Sequence, residues 1–202
     1  DTTNNPPLKV GKEKQGQEYI AKKLREIGFK DMAMFEPNEE KLSKFKGYVP
    51  STDWAGRYAG RPNVVATLGK GNGKSMILNG HIDTVTQGPL ELWKHDPFRA
   101  EMDGRRIYGR GAADMKSGLA TMLIASKSVK DLEGIQGKVI FESAVDEEGG
   151  GNGSLACAVE GYSADAAIVA EPSKMEICCA HRGVLIGRIE VTGKAAHASS
   201  KA

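Results

Sequence analysis

Apolar residues recur along the chain in two rhythms, and the switches between them mark the elements. Between Gln15 and Ile27, the residues Tyr19, Ile20, Leu24 and Ile27 repeat at helical spacing with lysines and an arginine opposite, and Gly28 follows as a stop signal. This predicts a surface helix packed on a core. From Asp31 to Gly60 the pattern is mixed and broken by Pro37, Gly47 and Pro50, which predicts loop with at most an edge strand. At Asn63 the rhythm changes, because Val64-Val65-Ala66-Thr67-Leu68 and Met76-Ile77-Leu78 are short apolar runs on either side of Gly69-Lys70-Gly71-Asn72-Gly73-Lys74. Two strands in a hairpin across a glycine turn fit this best.

Further on, Met115 to Leu132 sets Met115, Leu119, Met122, Leu123, Ser126 and Val129 on one helical face, with the methionines as core filler. Val139-Ile140-Phe141 and Ala166-Ala167-Ile168-Val169-Ala170 are continuous apolar runs, the pattern of central parallel strands covered on both faces. Ser154 to Glu160, between them, can form a helix. Strands alternating with helices predict an α/β domain whose ligands sit at the carboxyl ends of the strands.

Composition narrows the function classes. With 202 residues there is room for one domain and part of another. The first residues, Asp1-Thr2-Thr3-Asn4-Asn5-Pro6-Pro7-Leu8, contain no initiator Met and no signal-peptide pattern, so the natural terminus is expected upstream. No apolar run approaches the roughly 20 residues of a membrane span. The 28 basic and 26 acidic residues are interspersed, which disfavours nucleic acid and anionic membranes as partners. Three cysteines, with Cys178 and Cys179 adjacent, argue against a disulfide framework and for a reducing, cytoplasmic setting. The 25 glycines are about 12% of the chain against roughly 7% on average, so their places matter.

Two glycine-rich strings invite nucleotide readings and fail them. Gly73-Lys74-Ser75 ends like a phosphate loop, but the first required glycine falls on Leu68 and the loop precedes a strand. In Gly109-Arg110-Gly111-Ala112-Ala113-Asp114 an acid stands where the last glycine of a dinucleotide fingerprint belongs. The polar clusters instead follow apolar strands or open helices. His81 and Asp83, two apart after Met76-Ile77-Leu78, share one side of an extended chain. Asp114 precedes the Met115 helix. Asp146-Glu147-Glu148 follow Val139-Ile140-Phe141 and would repel one another if buried and ionised without a cation. Glu171 follows Ala166 to Ala170. Any one of these acids alone reads more readily as a solvated loop residue than as a ligand. One histidine with Asp114, Glu148 and Glu171 makes a nitrogen and oxygen set suited to Zn²⁺ or a similar divalent ion.

The strings Leu78-Asn79-Gly80-His81-Ile82-Asp83-Thr84-Val85, Tyr108-Gly109-Arg110-Gly111-Ala112-Ala113-Asp114-Met115-Lys116-Ser117-Gly118, Asp146-Glu147-Glu148-Gly149-Gly150 and Ala170-Glu171-Pro172-Ser173 resemble, in order and spacing, the M20 family of zinc amidohydrolases. Within it they are most similar to the acetylornithine deacetylases and succinyl-diaminopimelate desuccinylases. The resemblance runs from about Asn63 to the end, with weaker similarity through Asn5-Pro6-Pro7 and the Gln15 helix.

This resemblance implies an α/β fold, a mixed, mostly parallel sheet flanked by helices, with residues 1–182 as the first segment of a catalytic domain. Residues 183–202 would open an α+β lid, or dimerisation, domain. It implies two Zn²⁺ ions, or Co²⁺ in their place. His81 and Glu171 become first-metal ligands, Asp114 the bridging carboxylate, Glu148 the second-metal ligand, Asp83 the acid that tunes His81, and Glu147 the general base. A cis peptide is implied between Asp114 and Met115. His197, in Lys194-Ala195-Ala196-His197-Ala198-Ser199, resembles the lid histidine that reaches across a homodimer to help stabilise the oxyanion, while His181 matches a string near the domain junction and His95 reads as a surface residue. The family's last metal ligand and much of its carboxylate recognition lie beyond the residues matched here. The implied activity is hydrolysis of the amide bond of an N-acyl amino acid or similar small molecule. Alternatives are a dipeptidase or carboxypeptidase, an aminopyrimidine deformylase, and a non-catalytic metal-binding relative.

Overall fold

A computed structural model of the chain describes residues 1–5, 9–50, 56–69, 71–132, 135–180 and 183. They fall into two compact units, Asp1–Pro172 and Ser173–Ala202. In the second unit the described residues include a turn at Ser173, whose hydroxyl donates to Glu176 O at 2.6 Å. His181, His197 and all but Gly183 of the expected lid segment lie outside the described residues.

The first unit opens with β1 (Asn4–Asn5) and β2 (Val10–Gly11), paired antiparallel. Helix α1 (Lys14–Ile27) follows where the repeat predicts it, and buries Gln17, Ile20, Ala21, Leu24 and Ile27. Tyr19 is exposed, so the buried stripe is completed by Gln17 and Ala21 instead. Gly28 ends the helix in the left-handed conformation at φ 102°, its N–H donating to the carbonyls of Leu24 and Arg25. The stretch without clear rhythm holds the expected edge strand, β3 (Lys30–Phe35), and one turn of helix, α2 (Glu39–Leu42), capped by the Asn38 side chain. Next come β4 (Asn63–Gly69), β5 (Ser75–His81) and a small hairpin of β6 (Glu101–Asp103) and β7 (Arg106–Tyr108). Helix α3 (Ser117–Leu132), β8 (Lys138–Ala144), α4 (Asn152–Val159) and β9 (Ala166–Val169) complete the unit.

The main sheet has the order β3-β4-β8-β5-β9. β4 and β5 therefore do not form the expected hairpin, because β8 lies between them, antiparallel to β4 and parallel to β5. The physical reason is burial: Val64, Val65 and Ala66 are fully buried on alternating faces, and so are Ile140 and Phe141 of β8, so the two most apolar strands pair in the middle. The glycine-rich connection then spans about 10 Å, two strand spacings. Its Lys74 and Ser75 bind Asp165, which ties the start of β5 to that of β9.

β9 is parallel to β5 but sits at the edge, and among the described residues Ile168 and Val169 are exposed rather than covered on both faces as expected. Helices α1 and α3 pack on one face, where Leu24, Leu119 and Met122 meet Val64 and Phe141. Val129, expected on the buried stripe of α3, is exposed. On the other face α4 contributes Cys157 to a smaller cluster with Val65 and Ile140. Asn152-Gly153-Ser154 reads as a glycosylation sequon, but Asn152 is fully buried and bonded to Val49 and to the Tyr58 hydroxyl. Among the described residues no helix is long and apolar enough to cross a membrane.

Candidate metal centre

Because β5, β8 and β9 run parallel, their carboxyl ends open at one edge of the sheet. His81 is the last residue of β5, Glu147 and Glu148 follow β8, and Glu171 follows β9. Asp114 reaches the same edge from a π-type turn, Ala112–Lys116, that leads into α3. The peptide bond between Asp114 and Met115 is cis, as the resemblance implies.

His81 is almost wholly buried, and both ring nitrogens face oxygen atoms. Nδ1 lies 2.9 Å from the carbonyl oxygen of Asp83 and 3.4 Å from its Oδ1. A proton on Nδ1 satisfies that carbonyl, which leaves the Nε2 lone pair free to bind a cation. Nε2 faces Asp114 Oδ1 at 3.1 Å, Glu171 Oε1 at 3.6 Å and Glu147 Oε2 at 3.7 Å. Glu148 joins His81 and Asp114 in a group whose ligand atoms lie within 4.8 Å of one another, and Glu147 and Glu171 form a second such group with His81.

The electrostatics are those of a cation site. Burial first, and then neighbouring carboxylates, push Glu147, Glu148 and Glu171 above the usual carboxylate range, with His81 opposing. Burial disfavours protonation of His81, but Asp83, Glu147 and Glu171 outweigh it and push the imidazole up to about 9. Carboxylates that resist ionisation around one imidazole are relieved by a divalent cation, and an imidazole with oxygen donors matches Zn²⁺ chemistry. The residues present fit such an ion.

Asp83, fully buried, does not join that cluster. Burial alone would raise its proton affinity, but bonds to His81, Asn4 and the Glu147 main chain hold it below the usual carboxylate value. The N–H groups of Glu147 and Glu148 donate to Oδ1 and Oδ2 of Asp83 at 3.2 Å each. Helix α3 also packs closely at the other end: a Cβ on Gly118 would stand 2.2 Å from Ala170 O, beside Glu171.

The pattern of the sequence misses a buried network behind this cluster. Asp146 adds to the repulsion felt by Glu147 but is in neither group of candidate ligands. At φ 63° its left-handed backbone turns it away from Glu147. There it accepts from Arg57, from the Tyr58 hydroxyl at 2.7 Å and from Asn4 Nδ2 at 3.1 Å. Arg61 lies 3.7 Å from Asp146 and forks onto Glu13, with Nε at 3.0 and 2.9 Å from its two oxygens. Only the unbroken Asp146-Glu147-Glu148 run hinted at this, and no local rhythm marks Glu13, Arg57 or Arg61. His95, read as a surface residue, is half-buried, stacked on Tyr108 and 3.0 Å from Glu101.

A sequence profile of peptidase family M20/M25/M40 matches residues 77–199, which contain every residue of the cluster. The chain belongs to that family. This M20 chain is 42% identical over 139 residues to the N-formyl-4-amino-5-aminomethyl-2-methylpyrimidine deformylase of Bacillus subtilis (strain 168), covering 66% of this chain and 32% of that protein. It is 39% identical over 140 residues to the succinyl-diaminopimelate desuccinylase of Leptothrix cholodnii, covering 64% and 37%. The chain thus spans about a third of the length of the curated relatives it matches. Among solved structures, an M20 family metallo-carboxypeptidase from Sulfolobus solfataricus superposes with a TM-score of 0.61 at 22% identity, covering 84% of this chain and 34% of that one. Human carnosine dipeptidase 1 gives 0.58 at 21%, covering 77% and 32%. At such identities these two establish the fold alone.

Proposed function

We propose that this M20 chain forms part of a metal-dependent amidohydrolase that cleaves the amide bond of an N-acyl amino acid or a related small molecule. The observation that carries this reading is the convergence of Asp114, Glu147 and Glu171, from three separate elements, on His81 Nε2. In this reading His81, Asp114 and Glu171 hold one divalent cation, and Asp114 with Glu148 holds a second. Zinc is the proposed metal, with cobalt as a substitute. When bound, such cations polarise the substrate carbonyl and lower the pKa of the attacking water.

The protein's own groups divide the remaining work. Asp83 holds Nδ1 of His81, which aims Nε2, and its carboxylate fastens the main chain of Glu147 and Glu148. Glu147, half exposed and with raised proton affinity, takes a proton from water on its carboxylate and hands it to the leaving amine. Residues 1–182 as a catalytic segment, 183–202 as the opening of a lid, His197 as an oxyanion contact, and a cytoplasmic homodimer belong to the same proposal. They are supported by the family's motif order and not by contacts in the described residues.

The deformylase relatives, at 42% and 45% identity, favour one more specific reading, in which the acyl group is a formyl on an aminopyrimidine amine. Elemental analysis of the whole protein, followed by amine release from N-formylaminopyrimidine, acetylornithine, succinyl-diaminopimelate and dipeptides, separates these readings. Zero bound metal together with no amine released from any of the four would defeat the proposal.

A further inference from the structure

We propose that Asn4 is a positioning residue that sets the spacing between the histidine strand β5 and the loop carrying Glu147 and Glu148; this rests on the metal-centre reading above. Asn4 comes from the far N-terminal part of the chain, which is laid beside the continuation of β5. Thr2 Oγ1 donates to Ile82 O at 2.7 Å, Thr84 N–H to Thr2 O at 3.1 Å, and Asn4 N–H to Thr84 O at 2.8 Å. These bonds hold the Asn4 backbone, and its side chain enters the gap between two carboxylates. Nδ2 donates to Asp83 Oδ2 at 2.9 Å and to Asp146 Oδ1 at 3.1 Å.

Asp83 and Asp146 are both fully buried, and each governs part of the Glu147–Glu148 loop. Asp83 receives the N–H groups of those two residues, and Asp146 is the residue immediately before them, anchored by Arg57 and Tyr58. Two buried carboxylates repel unless a donor stands between them. An amide NH₂ carries two hydrogens and no charge, so it links both without adding a third ion. The reverse orientation would aim a third acceptor at two acceptors, which fixes the amide as drawn. Asn4 Oδ1 is buried with no partner among the described residues, so the role of this side chain lies on its nitrogen side.

The test is calorimetric titration of the whole apoprotein with Co²⁺, together with the Co²⁺ absorption spectrum and separate kcat and KM values on an N-acyl substrate. Asn4→Ala is expected to weaken Co²⁺ binding and lower kcat, each by about 10–100-fold, to shift the spectrum, and to leave KM within about twofold. Asn4→Asp keeps the shape but adds a third acceptor, so it is expected to be worse than Ala, whereas a space-filling role gives the opposite order. Asn4→Ala and Asp146→Ala are expected to be non-additive, since each removes the bond from Asn4 Nδ2 to the carboxylate of residue 146. Co²⁺ affinity and kcat both within about twofold of wild type in Asn4→Ala would overturn the proposal. So would additivity with Asp146→Ala, which is measured without the Asn4→Asp variant. A wild-type protein that binds no metal would instead defeat the metal-centre reading, so the two failures are distinguishable.

Discussion

The N–H of Glu147 donates to Asp83 Oδ1 at 3.2 Å. The carboxylate that lies against His81 Nδ1 therefore also fastens the loop after β8 to the end of β5, and a change in either is felt by both. Glu147 itself points its carboxylate to the other side of His81, 3.7 Å from Nε2.

That separation of duties predicts the behaviour of Glu147→Ala. The main-chain bond to Asp83 survives the substitution and the ligands are untouched, so metal content is expected to stay near that of wild type. The rate is expected to fall by about 10²–10⁴-fold, the usual worth of a positioned acid or base. Full activity in a metal-replete variant would remove Glu147 from the mechanism.

Metal affinity is expected to depend on pH with a definite sign. The folded, metal-free His81 titrates at about 9, above its ordinary 6.5, so its proton contributes stability fully below the ordinary value and loses it as pH rises through about 9. A cation must displace that proton, so apparent affinity is expected to rise about tenfold per pH unit up to about pH 9 and then level. Calorimetry in buffers of different ionisation enthalpy counts the proton released. Affinity that does not change between about pH 6 and 8 would show that His81 is already neutral.

Gly118→Ala tests how α3 seats Glu171, the proposed ligand after β9. A methyl there meets the Ala170 carbonyl at 2.2 Å, so either the helix or the end of β9 must move. Overpacking of this kind costs about 1–3 kcal/mol, and weaker metal binding through the displaced Glu171 is expected with it. Denaturant unfolding and metal titration measured together are the check, and an unchanged pair of values would contradict the close approach.

The buried pair of Arg61 and Glu13 offers a stability test away from the metal. Arg61→Met leaves Glu13 fully buried beside an apolar side chain, which is expected to destabilise by about 3–5 kcal/mol. Glu13→Gln in the same protein is expected to recover a large part of that loss. Equal stability of the single and double variants would mean that Glu13 finds another donor.

Much of the candidate site was legible because its proposed ligands sit at the ends of apolar runs. His81, Asp114, Glu148 and Glu171 each border an element that hydrophobic rhythm marks, and the parallel arrangement of β5, β8 and β9 brings those ends to one edge. The unreadable part was long-range and polar. Asn4 meets Asp83 across 79 positions and Asp146 across 142, and a single buried amide leaves no periodic trace.

By itself, then, the amino-acid sequence determined the longer helices, the apolar strands of the main sheet and which residue types gather at strand ends, since these follow from local apolar period and from glycine and proline. The short β1, β2, α2, β6 and β7 left no such mark. Tertiary structure decided the rest. It placed β8 between β4 and β5 because the most apolar strands are buried together, moved β9 to the edge, and turned Asp146 away from Glu147 to meet Arg57. Those outcomes depend on which surfaces find partners far along the chain, and no local pattern carries that information.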